Sequence, residues 1–217
     1  MKKSSRWNAQ AALTLVELIL VICVLAILAV LLIPAFVSPH TPAYRIGCVM
    51  NLKQVGLAFS TWAGENNDRF PMGVSVTNGG SMEFVDSPNT FRHFQALSNL
   101  LQVPKVLICG KDASRCAATD FTKDFDNSHL SYFIGIDAVH TNSTMFLAGD
   151  RNITNQLIPR NGILSLPTSS RVGWTEKIHK TEGNLLFADG HVERMNNKRL
   201  NDALQNSRGA TNRLAVP

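Results

Sequence analysis

The length and charge of the chain set the first limits on its function. Its 217 residues are enough for one domain of ordinary size plus a further segment. Apolar residues make up 45% of the chain, which is enough for a hydrophobic core, and the formal net charge is +5. From Leu13 onward, 18 basic residues face 16 acidic ones, a net charge of +2, so the charge does not predict nucleic-acid binding.

A short basic segment and a long apolar run begin the chain. Three basic residues lie in the first six positions, and the apolar run covers the 25 residues from Leu13 to Val37. As a helix this run would be about 37 Å long, which exceeds a hydrocarbon core of roughly 30 Å. The positive-inside rule keeps the basic residues in the cytoplasm. The pattern predicts a single-pass inner-membrane protein with a cytoplasmic N-terminus and an extracytoplasmic (periplasmic) C-terminal domain.

The residues at the start of the run resemble those of type IV prepilins and type II secretion pseudopilins. The stretch Ala12-Leu-Thr-Leu-Val-Glu17 matches the family's small residue at the cleavage site and its glutamate as fifth residue of the mature chain. The resemblance implies a leader of residues 1–12, cleavage by prepilin peptidase between Ala12 and Leu13, and N-methylation of Leu13. The family usually has glycine where this chain has Ala12. Pro34 would be residue 22 of the mature chain, where pilin-like helices often carry a kinking proline.

Glu17 is the charged residue within the apolar run. A carboxylate near a helix N-terminus is stabilised by the helix dipole. The resemblance implies that Glu17 neutralises the new amine of a neighbouring subunit in a filament and so directs assembly. The alternative is a glutamate that lies near the lipid headgroups without a partner.

A second helix and a loop-rich domain follow. Residues 38–42 contain two prolines, which interrupt or kink the helix, and the apolar spacing then predicts an amphipathic helix over 43–66. Residues 67–217 contain short apolar runs bounded by turn residues, which indicate strands. We predict an α+β fold in which a long N-terminal transmembrane and amphipathic helix packs on a small antiparallel sheet. The predicted strands cover 106–108, 132–136, 145–148, 163–166, 185–188 and 192–195, and helices are predicted over 91–101 and 198–205.

Asp189 and Gly190 lie between the last two predicted strands and indicate a hairpin turn. With His179 they form the H-X9-DG motif, which accompanies prepilin-type leaders in many environmental bacteria. The segments 48–58 and 147–152 are also similar to signatures of these proteins. No chemistry is attached to the motif by this resemblance.

His179, Asp189 and His191 are candidate metal ligands, because imidazole and carboxylate groups suit divalent metals. The alternative is a structural role for these residues. The structural role is favoured, since Asp189 is a turn residue. The prediction is therefore no metal and no cofactor. Calcium near Asp189 is the one cofactor that the resemblance to major pseudopilins suggests, although no EF-hand spacing is present.

The cysteines outside the apolar run are Cys48, Cys109 and Cys116, and one of them must stay unpaired in a single chain. A Cys109–Cys116 bond would close a short loop, whereas Cys48–Cys109 would join the helix to the sheet. The sequence does not choose between these pairings.

Enzyme signatures for nucleophilic, metal-dependent and nucleotide chemistry are absent from the sequence, so we predict a protein that is not an enzyme. The leading hypothesis is a pseudopilin of a type II secretion or type IV pilus-like system, with prepilin peptidase, other pilin-like subunits and the inner membrane as partners. The alternative is a membrane-anchored extracytoplasmic binding module or enzyme that uses the helix only as a tether. An adhesin or DNA-uptake pilin is a third hypothesis, which the charge does not support.

Overall fold

The apolar run forms a separate helix at the start of the chain. In the computed structural model, which describes residues 14–36, 40–207 and 211–217, helix α1 spans Leu15–Phe36. This helix belongs to a first unit that ends at His40, and residues 41–217 form a second unit. The predicted cleavage residues Ala12 and Leu13 lie outside the described residues.

The predicted transmembrane segment is wrong. None of the helices in the three described ranges is long and apolar enough to cross a membrane. Helix α1 begins at Leu15 and ends at Phe36, so it is shorter than the predicted run of 13–37, and it carries Glu17 in its first turn. A charged carboxylate is costly in hydrocarbon. The finding also overturns the predicted single-pass inner-membrane location.

The second unit starts with helix α2, which spans His40–Glu65. Its buried side chains recur every three or four residues, which places them on one face. Ile46 near the start of the helix is 64% exposed and lies off that face, although its apolar side chain fits the spacing. The buried face consists of Cys48, Leu52, Val55, Ala58, Phe59, Trp62 and Ala63.

A six-stranded antiparallel sheet is the centre of the second unit, with the strand order β4-β8-β1-β2-β6-β7. A separate pair is formed by β3 and β5. The strands are β1 (Tyr132–Gly135), β2 (Phe146–Asp150), β3 (Ile153–Thr154), β4 (Ile163–Pro167), β5 (Gly173–Trp174), β6 (Glu182–Phe187), β7 (Val192–Asn196) and β8 (Thr211–Ala215). The α+β class and the antiparallel sheet are as predicted. The prediction of a small sheet packed on one long transmembrane and amphipathic helix is wrong, because the main sheet has six strands and no described helix is long and apolar enough to cross a membrane.

The sheet is buried on both of its faces. Successive side chains of a strand point to opposite faces, and Tyr132 and Ile134 accordingly join the core that contains α2, whereas Phe133 joins a second core. Helix α5 (Asn197–Asn206) contributes Leu200 and Leu204 to the second core. The central strands β1 and β2 are buried at every position, which explains why they appear in the sequence as continuous apolar runs, whereas the edge strands β4 and β7 keep exposed positions.

Local differences from the prediction have identifiable causes. The run at 106–108 is part of a 3-10 helix, Pro104–Leu107, in which the proline occupies the first turn. The helix predicted over 91–101 is two short helices, α3 (Phe91–Gln95) and α4 (Ser98–Leu101). Strand β8 was missed because Thr211, Asn212 and Arg213 give it a polar start, although it pairs with both β1 and β4.

Candidate functional site around His179

His179 precedes strand β6 and is almost completely buried, with 4% of its surface exposed. Its Nε2 atom lies 3.2 Å from the Sγ atom of Cys109 and 3.7 Å from the Oδ2 atom of Asp150. The histidine of the H-X9-DG motif is therefore enclosed by a sulfur atom and a carboxylate, both of which are also buried.

A disulfide bond forms one wall of this site. Cys48 of α2 is joined to Cys109, with 5.1 Å between their Cα atoms and a sequence separation of 61. Cys116, the third candidate, is a free and exposed cysteine whose Sγ lies 3.8 Å from Nδ1 of His129. The bond links α2 to the segment after α4, and it places the sulfur of Cys109 against His179.

Asp150 forms another wall, at the end of the central strand β2. Its Oδ2 atom accepts hydrogen bonds from the backbone N–H of Asn184 at 2.7 Å and from the Asn184 side-chain amide at 2.9 Å. Complete burial raises the pKa of Asp150 to about 7, an effect that the hydrogen bonds from Asn184 oppose. A carboxyl group in this environment holds its proton in mildly acidic solution.

Burial has the opposite effect on His179. Burial, together with the positive charges of Arg45 and Arg194, lowers the pKa of His179 to about 4. The pair is therefore uncharged around pH 5, with the proton on Asp150. Both shifts have the same main cause, because a buried site penalises the charged form of either group.

One group of side chains in the described ranges could hold a metal ion. It contains Cys48, Cys109 and His179, whose potential ligand atoms all lie within 4.8 Å of one another. Neither Asp189 nor His191, the two other residues that the sequence offered as ligands, belongs to this group. Instead, Nδ1 of His191 lies 2.5 Å from Oδ1 of Asp189, and its ring stacks on Phe187 with 4.3 Å between centroids.

Asp189 and Gly190 form the turn between β6 and β7, with Gly190 at a φ of +88°. The backbone N–H of Gly190 donates to the carbonyl of Phe187 at 2.9 Å, and Phe187 donates to the carbonyl of His191 at 3.0 Å. This is a three-residue hairpin connection with one left-handed glycine, rather than the two-residue turn expected from the dipeptide. The Oδ1 atom of Asp189 also accepts from the His191 N–H at 3.1 Å.

The turn lies against helix α2. A Cβ atom added to Gly56 would come within 2.8 Å of the Leu186 side chain and 3.5 Å of the Gly190 carbonyl. The motif therefore contacts α2 at two positions along the helix. His179 contacts it near Cys48 through the disulfide, and the turn contacts it near Gly56. The eight residues between these positions span about 12 Å of helix, so the motif fixes the position of the hairpin along α2.

We expect Gly190→Ala to lower the free energy of unfolding by about 1–2 kcal/mol, because alanine is strained at positive φ. The space itself is open, since the nearest atom to an added Cβ would be the Ser60 hydroxyl at 3.8 Å. Gly64→Ala in α2 is the matched control. It meets no atom within 4 Å and should stabilise the helix by about 0.5–1 kcal/mol. Urea denaturation measures both changes, and equal effects of the two variants would refute the role of Gly190.

The N-terminal helix begins with a capping box that the sequence analysis missed. Thr14 donates to Oε2 of Glu17 from its backbone N–H and from its hydroxyl, each at 2.9 Å, and the Glu17 N–H donates to the Thr14 hydroxyl at 3.3 Å. The Thr14 backbone and hydroxyl hydrogen bonds lower the pKa of Glu17. The Thr-x-x-Glu spacing before an apolar run was the available signal. Pro34 lies within α1, which continues to Phe36.

Comparisons with known proteins were made for the whole chain. No protein-family model matches it, and neither a curated protein nor a solved structure matches it. The functional proposal therefore depends on the residues of this chain and on their geometry.

Proposed function

We propose that the chain is a pilin-like structural subunit, a pseudopilin of a type II secretion or type IV pilus-like system, and not an enzyme. Prepilin peptidase processes it after Ala12 and methylates Leu13, and the subunit assembles through α1 with other pilin-like subunits. The observation that carries the proposal is an apolar helix whose large side chains from Leu15 to Val30 are mostly exposed and whose first turn is capped by Thr14 and Glu17.

The apolar side chains of α1 are exposed along the described part of the helix. Leu15 is 74% exposed and Val30 is 66% exposed, and large apolar residues at most positions between them are exposed by 44% or more. Burying a Leu, Ile or Val side chain gains about 1.5–3 kcal/mol. A continuous exposed apolar surface such as this one marks an interaction site. Helices from other copies of the subunit offer an equally apolar surface, which favours packing of helix against helix.

Glu17 serves two functions in this proposal. Within its own chain it caps α1 through Thr14. Between subunits its negative charge compensates the amine that cleavage creates on a neighbouring Leu13. The two functions are separable, because a glutamine retains the hydrogen-bonding carbonyl and lacks the charge.

The first test is mass spectrometry of the N-terminus in cells with and without prepilin peptidase. We expect a chain that starts at methylated Leu13 when the peptidase is present, and a chain that retains residues 1–12 when it is absent. An intact leader in cells that contain the peptidase would overturn the proposal.

The second test measures assembly through Cys23, a free and exposed cysteine in α1. A bifunctional thiol crosslinker should join neighbouring helices into oligomers. Glu17→Gln removes an interfacial charge whose loss costs about 2–5 kcal/mol, so the oligomer yield should fall at least about tenfold. Thr14→Ala keeps the charge and should assemble nearly as the wild type does.

Two cysteine variants serve as controls for the crosslinking. Cys23→Ser should abolish the oligomers, whereas Cys116→Ser, which removes an exposed cysteine of the second unit, should not. Equal assembly of the Glu17→Gln and wild-type chains would contradict the charge function of Glu17. Oligomers that persist in Cys23→Ser would show that α1 is not the contact.

Calcium near Asp189 stays a prediction from the resemblance. The Oδ1 atom of Asp189 already bonds to the backbone and ring of His191. The assembly proposed for α1 does not depend on this site.

A further inference from the structure

We propose that Cys48, Cys109 and His179 bind a zinc ion when the disulfide is reduced, with the fourth coordination position left to a ligand from solution. The site goes beyond the proposed assembly function, because it lies in the second unit and does not use α1. Its two states, disulfide and zinc complex, hold the same elements together under different redox conditions.

The spacing of Cys109 and His179 is close to that of two ligands in a tetrahedral zinc site, whereas the two sulfur atoms, which are bonded in the disulfide, must move apart when it is reduced. Zinc–sulfur and zinc–nitrogen bonds of about 2.3 Å and 2.05 Å place the two ligand atoms about 3.6 Å apart. The Sγ of Cys109 and Nε2 of His179 are 3.2 Å apart. The Oδ2 atom of Asp150 lies 3.7 Å from Nε2, but Asp150 does not belong to the group whose ligand atoms all lie within 4.8 Å of one another, so it stays outside the proposed coordination sphere.

The ligand types favour zinc over hard cations. Two thiolates and an imidazole suit zinc, whereas calcium and magnesium prefer oxygen ligands. The sequence could not reveal the site, because Cys48 and Cys109 are 61 residues apart and His179 follows Cys109 by 70. Local zinc motifs space their cysteines by two to four residues.

Conversion of the disulfide to the zinc complex requires one two-electron reductant. A dithiol reductant transfers two electrons and two protons to the disulfide, which becomes two thiols while the dithiol becomes a disulfide. Zinc then replaces the two thiol protons and binds the two thiolates. Release of zinc and oxidation by a disulfide of the same class restore the Cys48–Cys109 bond.

A cleft next to the disulfide offers an entry path. Its volume is 560 Å³, and it is lined by Cys48 and by residues on both sides of Cys109, including Ile108 and Gly110. Cys48 is 1% exposed, so it lies at the base of the cleft rather than on an open surface.

Cobalt(II) is the probe, because thiolate ligands give it a charge-transfer absorption band and tetrahedral sites give intense visible bands. The full chain is reduced with a phosphine, which does not chelate metal, and titrated with Co²⁺ and then with Zn²⁺. We expect one Co²⁺ per reduced chain with the thiolate band, displacement by Zn²⁺, and no such band in the oxidised chain. Absence of the band in the reduced chain would overturn the proposal.

Two variants separate this site from the other thiol and imidazole pair, Cys116 and His129. His179→Ala should weaken Co²⁺ binding by at least about tenfold, whereas Cys116→Ser should leave the affinity and the band unchanged. Loss of the band in Cys116→Ser, or unchanged affinity in a folded His179→Ala chain, would place the metal elsewhere.

X-ray absorption of the zinc-loaded, reduced wild-type chain keeps the test decisive if His179→Ala does not fold. We expect two sulfur neighbours at about 2.3 Å and lighter neighbours at about 2.0–2.2 Å. A zinc ion surrounded only by nitrogen and oxygen atoms would refute the site.

Discussion

Replacing both cysteines of the disulfide, in Cys48→Ala/Cys109→Ala, is expected to lower the free energy of unfolding by about 4 kcal/mol. The bond closes a loop with a sequence separation of 61, and cross-links that close long loops remove the most entropy from the unfolded chain. The loss is a large share of the roughly 5–15 kcal/mol that stabilises a typical domain. The double variant should unfold at much lower urea concentration.

Urea denaturation under non-reducing conditions measures this effect, and Cys116→Ser is the matched control. Cys116 is exposed and free, so its replacement should change the free energy of unfolding by less than about 0.5 kcal/mol. If the double variant lost less than about 1 kcal/mol, the loop-closure argument would fail for this chain. Reduction of the wild type in the presence of a metal chelator should reproduce the loss.

The hairpin of the motif could be predicted from the sequence because its signals are local. Asp189 and Gly190 are adjacent turn residues between two apolar runs, and the structure places a hairpin there with Gly190 at positive φ. The turn type was wrong by one residue, since Ala188 also belongs to the connection. The same local signals did not reveal β8, whose polar start becomes a strand only because β1 and β4 supply its hydrogen bonds.

The site around His179 could not be predicted, because none of its contacts is local. Asp150 drew attention in the sequence only as part of the segment 147–152, and it becomes a buried carboxyl group only when the sheet forms around it. The pairing of Cys48 with Cys109 depends on how α2 packs, which a helical pattern does not specify. At the N-terminus the sequence predicted a feature that the structure lacks, because the composition of the apolar run indicated a membrane span that no described helix provides.

The buried pair of Asp150 and His179 is expected to make the stability of the folded chain depend on pH. Asp150 has a pKa of about 7 in the folded chain and 3.8 as its ordinary value, so the folded state holds a proton that the unfolded state has lost. Its contribution to stability falls as the pH rises through this window. His179 has a pKa of about 4 against 6.5, so its contribution rises as the pH rises between these values.

In the wild-type chain the two contributions oppose each other between pH 4 and pH 6.5, because one group binds the proton that the other releases. When either residue is replaced singly, the free energy of unfolding relative to the wild type should change with pH, with opposite signs for the two variants. In Asp150→Asn, stability relative to the wild type should rise from pH 4 to pH 7, by on the order of 3 kcal/mol. In His179→Gln it should fall over the same range by a similar amount.

Urea denaturation at intervals between pH 4 and pH 7 measures both slopes, with Cys116→Ser as the control. Cys116 is exposed and free, so its replacement should leave the wild-type profile nearly unchanged. Slopes of the reverse sign would mean that the proton lies on His179 and that Asp150 is ionised. The two substituted chains thus decide whether the site around His179 contains a neutral pair or an ion pair, since only the neutral pair makes the two slopes diverge in the expected directions.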